Sequence, residues 1–276
     1  MIVAEVVGRT LADLGVRHVF GLIGSGNFHL TNALVAGGAR FVPAVHESGA
    51  ACMADAYARV SGRLGVLSVH QGPGVTNALT GITEAAKSRT PLLVLAPEAT
   101  APRSNFYLDL PAVAAALGAG YHRLRADHAV ADVVAAVREA VDGPGRTVVL
   151  GLPLDVQARE AGPPGAAGPL VAPAFTDPVS PPEVDPADIA WLAGVLRTAT
   201  RPVFIAGRGA TRRPAAARAA LTRLADRCGA CSPCPRRRRG SSPATRGIST
   251  FPAGSPPRSR PSSSAGPTSW SPGAAR

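Results

Sequence analysis

The stretch FVPAVHESGAACMADAYARVSGRLGVLSVHQGPGVTNALTGITEAAKSRTPLLVLA, Phe41 to Ala96, alternates short apolar runs with longer segments of helical pattern. Phe41 to Val45 reads as a strand, Ser48 to Ser61 as a helix closed by Gly62, Leu64 to His70 as a strand, Pro73 to Ser88 as a helix, and Leu92 to Ala96 as a strand. Strands joined through helices run parallel, and the crossover helices bury both faces of their sheet. Outward from this stretch the alternation continues. Upstream, Val3, Val7, Leu11 and Leu14 form one helical stripe ended by Gly15, Arg17 to Ile23 is a strand, and Leu30 and Leu34 mark a helix ended by Gly37 and Gly38. Downstream come a helix at Pro111 to Leu117, a strand at Tyr121 to Leu124, a helix lined by Val130, Val133, Val134, Val137 and Val141, and a last strand at Arg146 to Leu152. The predicted fold class is therefore α/β, a doubly wound parallel sheet over residues 1–157.

The pattern then weakens. Residues 158–182 are rich in Gly, Pro and Ala and read as a linker. Residues 183–230 read as an incomplete second α/β domain, with a helix from Pro186 to Thr198, a strand at Pro202 to Ala206, a turn at Gly207 to Gly209 and a helix to Arg227. Residues 231–276 hold eight arginines with no Asp, Glu or Lys, and so supply most of the formal net charge of +11. Almost no aliphatic residue is available there for burial, and a disordered basic tail is expected. Lys87 is the only lysine in an arginine-rich chain, which suggests GC-rich coding and a frame-shifted or truncated tail. A natural basic arm contacting nucleic acid through Arg236 to Arg239 is the alternative, and nucleic acid is not the expected partner.

Cys228, Cys231 and Cys234 make a C-x2-C-x2-C run, but no fourth cysteine and no histidine nearby completes a ligand set, so no metal site is expected. No apolar run is long enough to span a bilayer and no secretory leader is recognisable, which points to the cytoplasm.

In a doubly wound sheet, ligands collect at the carboxyl ends of the strands. Three loops with unusual residues fall there: Gly24-Ser25-Gly26-Asn27 after the first strand, His46-Glu47 after the second, and His70-Gln71-Gly72-Pro73-Gly74 after the third. The glycines let backbone approach a ligand, and Glu47 places a carboxylate at a helix start, where the helix dipole favours negative charge.

These residues carry a resemblance. VFGLIGSGN, VHESGAACMADAYARVSG and GPGVTNALTGITEAAKSRTPLLVL, with PGRTVVLGLPLDVQ more weakly, resemble the N-terminal pyrimidine-binding domain of the acetolactate synthase, benzoylformate decarboxylase and pyruvate oxidase group of thiamine diphosphate enzymes. Arg201 to Ala210 is similar to the opening of that group's central domain, and Ile23 stands where many members have proline. The resemblance implies that Glu47 hydrogen-bonds N1′ of the cofactor's aminopyrimidine, so that the 4′-nitrogen can remove the thiazolium C2 proton. It implies that Gly72, Pro73, Gly74 and Asn77 form one wall of the pyrimidine pocket and that Gly24, Ser25 and Gly26 lie beneath the cofactor. It also implies that His70 relays protons to the substrate, with Gln71 beside it. His46 then orients Glu47, and Cys52 and Met53 pack their helix.

The family holds its diphosphate and Mg2+ through a G-D-G loop in a C-terminal domain, and no G-D-G occurs in these 276 residues. The chain is expected to be a fragment of an acetolactate synthase-like 2-oxo acid decarboxylase or carboligase, inactive alone, with Mg2+ held only through a missing domain or a partner chain. A homodimer, or a chain supplying the diphosphate-binding domain, is the expected partner. Two alternatives remain: a subunit of a split thiamine diphosphate enzyme, and a non-catalytic dimerising protein whose tail binds nucleic acid.

Overall fold

The computed structural model describes residues 1–161, 183–207, 210 and 214–229. In chain order its elements are α1 (Val3–Asp13), β1 (His18–Gly21), α2 (Phe28–Ala36), β2 (Arg40–Pro43), α3 (Glu47–Ser61), β3 (Gly65–Ser68), α4 (Pro73–Lys87), β4 (Leu92–Glu98), α5 (Leu110–Leu117), β5 (Gly120–Arg123), α6 (Ala129–Val141), β6 (Thr147–Pro153), α7 (Leu154–Gln157), α8 (Pro186–Thr198) and α9 (Pro214–Cys228). The six strands form one sheet in the order β2-β1-β3-β4-β6-β5. Every pairing is parallel.

Two hydrophobic cores sit on opposite faces of this sheet. Val7 and Leu11 of α1, Leu30 and Leu34 of α2, and Val133 and Val137 of α6 pack with Leu93 and Leu95 of β4 and with Val148 and Leu150 of β6. On the other face, Ala50 and Ala54 of α3, Ala78 and Ile82 of α4, and Ala114 of α5 pack with Leu92 and Val94 of β4. Neighbouring residues of β4 thus alternate between the two cores, as a pleated strand requires, and both sets are apolar because helices cover both faces. This is the doubly wound α/β sheet that the sequence pattern predicts.

The helices begin and end where local chemistry allows. Gly62 takes a left-handed conformation at the end of α3, and Gly15 has positive φ just after α1. His46 caps α3 by accepting the Ser48 N–H at Nδ1 over 3.2 Å. Pro73 occupies the first turn of α4, where its missing N–H costs nothing.

By its contacts the chain divides into two units, Met1–Ala190 and Trp191–Arg276, with the cut inside α8. Helices form at Pro186–Thr198 and Pro214–Cys228, close to the predicted spans. The strand predicted at Pro202 to Ala206 does not form: those residues have no strand pairing, and Val203 and Ile205 are exposed. A parallel strand needs a neighbour for its backbone hydrogen bonds, and the described residues of this region supply none. Most of the linker expected at 158–182, and the whole tail 231–276 with Cys231 and Cys234, lie outside the described residues. Among the described residues no helix is long and apolar enough to cross a membrane, and no cluster of His, Cys, Asp and Glu could hold a metal ion.

Candidate functional site

β1 and β3 are neighbours, yet the chain leaves them towards opposite faces. After β1 it enters α2 in one core, and after β3 it enters α4 in the other. Connections that part in this way open a crevice at the carboxyl edge of the sheet, the usual ligand position in such folds. The loops singled out in the sequence meet there.

The loop after β1 is fastened by Asn27. Its Oδ1 accepts the Gly24 N–H at 2.8 Å, and its Nδ2 donates to the Leu22 carbonyl and to Ser68 Oγ, each at 2.9 Å. Fully buried, Asn27 ties the loop both to itself and to the end of β3. Ser25 is exposed at the loop's tip. Gly24 and Gly26 face the loop after β3 so closely that a side chain on either would force the residue opposite to move. A Cβ on Gly24 would lie 2.7 Å from His70 Nδ1, and one on Gly26 would lie 1.8 Å from Gln71 Oε1. The Gly26 N–H donates to His70 Nδ1 at 3.5 Å, which leaves the ring proton on Nε2.

His70 is half-buried, its ring edge-on to Phe106 at 5.4 Å. Gln71 is buried, and its Oε1 has no hydrogen-bond partner among the described residues. Gly72 has φ of +61° and packs under the Phe106 backbone, whose carbonyl oxygen would lie 2.8 Å from a Cβ; both features demand glycine. Pro73 is exposed and Gly74 buried at the start of α4.

Glu47 is the first residue of α3 and only 8% exposed. Its Oε2 accepts a hydrogen bond from Asn77 Nδ2 at 3.1 Å. Its Oε1 has no hydrogen-bond partner among the described residues and lies 3.5 Å from where a Gly74 Cβ would stand. Asn77 itself is exposed, and its side chain meets Glu47. A Cβ at Gly74 would also lie 3.0 Å from the His70 Cβ, so glycine there lets the start of α4 pack close to both His70 and the carboxylate. A planar heteroaromatic ring with one basic nitrogen suits this donor-acceptor set, so the residues present fit the pyrimidine end of thiamine diphosphate.

Residues 1–107 match the family described as "Thiamine pyrophosphate enzyme, N-terminal TPP binding domain". The match is confined to this stretch. Thiamine pyrophosphate is another name for thiamine diphosphate. Sulfoacetaldehyde acetyltransferase of Castellaniella defragrans is 41% identical over 96 residues, covering 35% of this chain and 16% of the relative. Acetolactate synthase isozyme 3 large subunit of Escherichia coli is 46% identical over 93 residues, with coverage of 33% and 16%. The protein named "Probable 2-ketoarginine decarboxylase AruI" of Pseudomonas aeruginosa is 49% identical over 87 residues, with coverage of 32% and 16%. The chain thus spans 16% of the length of these relatives. The family match stops before β5, α6 and β6, but β6 pairs with β4 along its whole length and extends the sheet that the matched residues begin.

Three features of this site escaped the sequence reading. Asn27 was named with its loop, but the hydrogen bond by which it fastens that loop to Ser68 of β3 was not read from the sequence. Phe106 roofs Gly72 and His70 from a distant loop that carries no local signal. Cys52, expected to pack its helix, is exposed with a free thiol, whereas Met53 is partly buried against the core.

Proposed function

We propose that residues 1–157 hold the aminopyrimidine end of thiamine diphosphate for a 2-oxo acid decarboxylase or carboligase, with Glu47 as the carboxyl group that meets N1′. The observation that carries this reading is the state of Glu47: a buried residue at a helix start, with Oε2 engaged by Asn77 and Oε1 without a hydrogen-bond partner among the described residues. A carboxylate oxygen left unengaged at the carboxyl edge of such a sheet can meet a ring nitrogen by sharing one proton.

When bound, thiamine diphosphate supplies an acidic thiazolium C2–H, whose loss turns that carbon into a nucleophile towards a 2-oxo acid carbonyl. The chain's own residues do the rest. Glu47 Oε1 shares a proton with N1′ and so sets which ring nitrogen is basic. His70, with Nδ1 occupied by the Gly26 N–H, offers Nε2–H to a substrate carboxylate or carbonyl oxygen. Gln71 acts on substrate binding by supporting the Gly24–Gly26 loop that it touches. The diphosphate and Mg2+ are held by a partner or segment other than these 276 residues, which contain no G-D-G loop.

Calorimetry with thiamine diphosphate and Mg2+ tests this. The chain alone is expected to bind with a dissociation constant on the order of millimolar, because a few hydrogen bonds and some apolar contact remain without the diphosphate contacts. It should not turn over pyruvate or benzoylformate. Adding a chain that carries a diphosphate-binding domain should give micromolar affinity and turnover, and Glu47→Gln should cut that turnover by roughly 100-fold or more. Micromolar binding by the chain alone, or full turnover with Glu47→Gln, would contradict the proposal.

A further inference from the structure

We infer that Asn77 is a positioning residue: by holding Oε2 of Glu47 it leaves Oε1 as the oxygen presented to the ring nitrogen, an inference that rests on the pyrimidine-binding reading above. A free carboxylate has two equivalent oxygens and rotates about its last bond. One hydrogen bond from a fixed donor breaks that equivalence. Asn77 Nδ2 reaches Oε2 at 3.1 Å across 30 residues of sequence.

The donor is fixed by helix packing. α3 and α4 start at the same edge of the sheet and run side by side, and they pack tightly at Gly81 and Ala51, where a Cβ on Gly81 would lie 2.5 Å from the Ala51 Cβ. Gly81 is one turn after Asn77, and Ala51 is one turn after Glu47, so the backbone contact sets the opposition of Asn77 and Glu47 directly above it. Asn77 is exposed and gives the core nothing, and asparagine is a weak helix former. Its one side-chain hydrogen bond is spent on Glu47.

A double-mutant cycle on the full chain separates this role from others. The probe is 4-amino-5-hydroxymethyl-2-methylpyrimidine, and its affinity is read by ligand-observed nuclear magnetic resonance for wild type, Asn77→Ala, Glu47→Gln and the double variant. In the wild-type background Asn77→Ala should weaken binding about tenfold, the size of one charge-assisted hydrogen bond lost. In the Glu47→Gln background the same change should cost less than about twofold, because the Asn77 bond then positions a neutral amide that cannot share a proton with the ring nitrogen. Asn77→Asp, which keeps the shape but offers a carboxylate no donor, should match or exceed the loss of Asn77→Ala. Far-ultraviolet circular dichroism checks that each variant is folded.

Equal losses in the two backgrounds would overturn the inference, since Asn77 would then act on the ring or on the fold by itself while Glu47 kept its role. Unchanged binding in both Asn77 variants would overturn it as well. A Glu47→Gln chain that binds the probe as wild type does would instead remove the pyrimidine-binding reading, and the role of Asn77 with it.

Discussion

Two of the buried carboxylates at the carboxyl edge of the sheet are treated by the fold in opposite ways. Glu98 ends β4 and is 4% exposed. It accepts hydrogen bonds from Arg123 Nε at 3.0 Å, from Arg123 Nη2 at 2.5 Å and from the Tyr121 hydroxyl at 3.1 Å. Gly151 closes the space around it, since a Cβ there would lie 2.7 Å from the Tyr121 oxygen and 3.0 Å from Glu98 Oε2. Glu47 has one neutral donor, and its other oxygen accepts no hydrogen bond among the described residues. A carboxylate gripped by a forked guanidinium and a phenol is part of the architecture, whereas one with an unengaged oxygen keeps the capacity to accept from another group.

The contrast can be tested from its largest effect downward. Arg123→Ala leaves the Glu98 carboxylate buried beside a phenol alone, and should cost about 2 to 3 kcal/mol in urea unfolding. A cost below about 0.5 kcal/mol, the range of ordinary surface changes, would mean that Glu98 is not held as described. Gly26→Ala drives a methyl group into Gln71 Oε1 and should destabilise by about 1 to 3 kcal/mol; adding Gln71→Ala should recover part of that loss.

Tyr121 gives a smaller, pH-dependent signal. Burial, followed by the charge of Glu98, pushes its phenol up to about 12 from the ordinary value of about 10. The folded state therefore holds the proton more tightly than the unfolded state. This contribution is complete below pH of about 10 and is lost as pH rises through about 12. Ultraviolet titration of tyrosinate should show one late-titrating phenol that is absent in Tyr121→Phe. Smallest of all is the stability change of Glu47→Gln, expected within about 0.5 kcal/mol of wild type, because an amide keeps an acceptor for Asn77 and gives up only a group that the fold does not saturate.

Much of this was legible in the sequence, because the signals concerned are local. The apolar alternation of Leu92 to Ala96, the start of α3 at Glu47 and the glycine-proline entry to α4 each follow from neighbouring residues and place Glu47 at the carboxyl edge. The hydrogen bond of Asn77 was not legible, since it depends on how closely Gly81 lets two helices approach. Phe106 was missed for the same reason, being brought over Gly72 and His70 by a long loop. The unpaired segment at Pro202 to Ala206 shows the converse: its residues have strand character, but a strand exists only where another accepts its hydrogen bonds.

The most direct test of the central claim is the nitrogen resonance of N1′ in thiamine diphosphate labelled with 15N at that position, recorded as the full chain is added. A shared proton from Glu47 should move that resonance upfield with wild type, and Glu47→Gln should leave it near its free position. Equal shifts with both chains would show that Glu47 does not meet N1′.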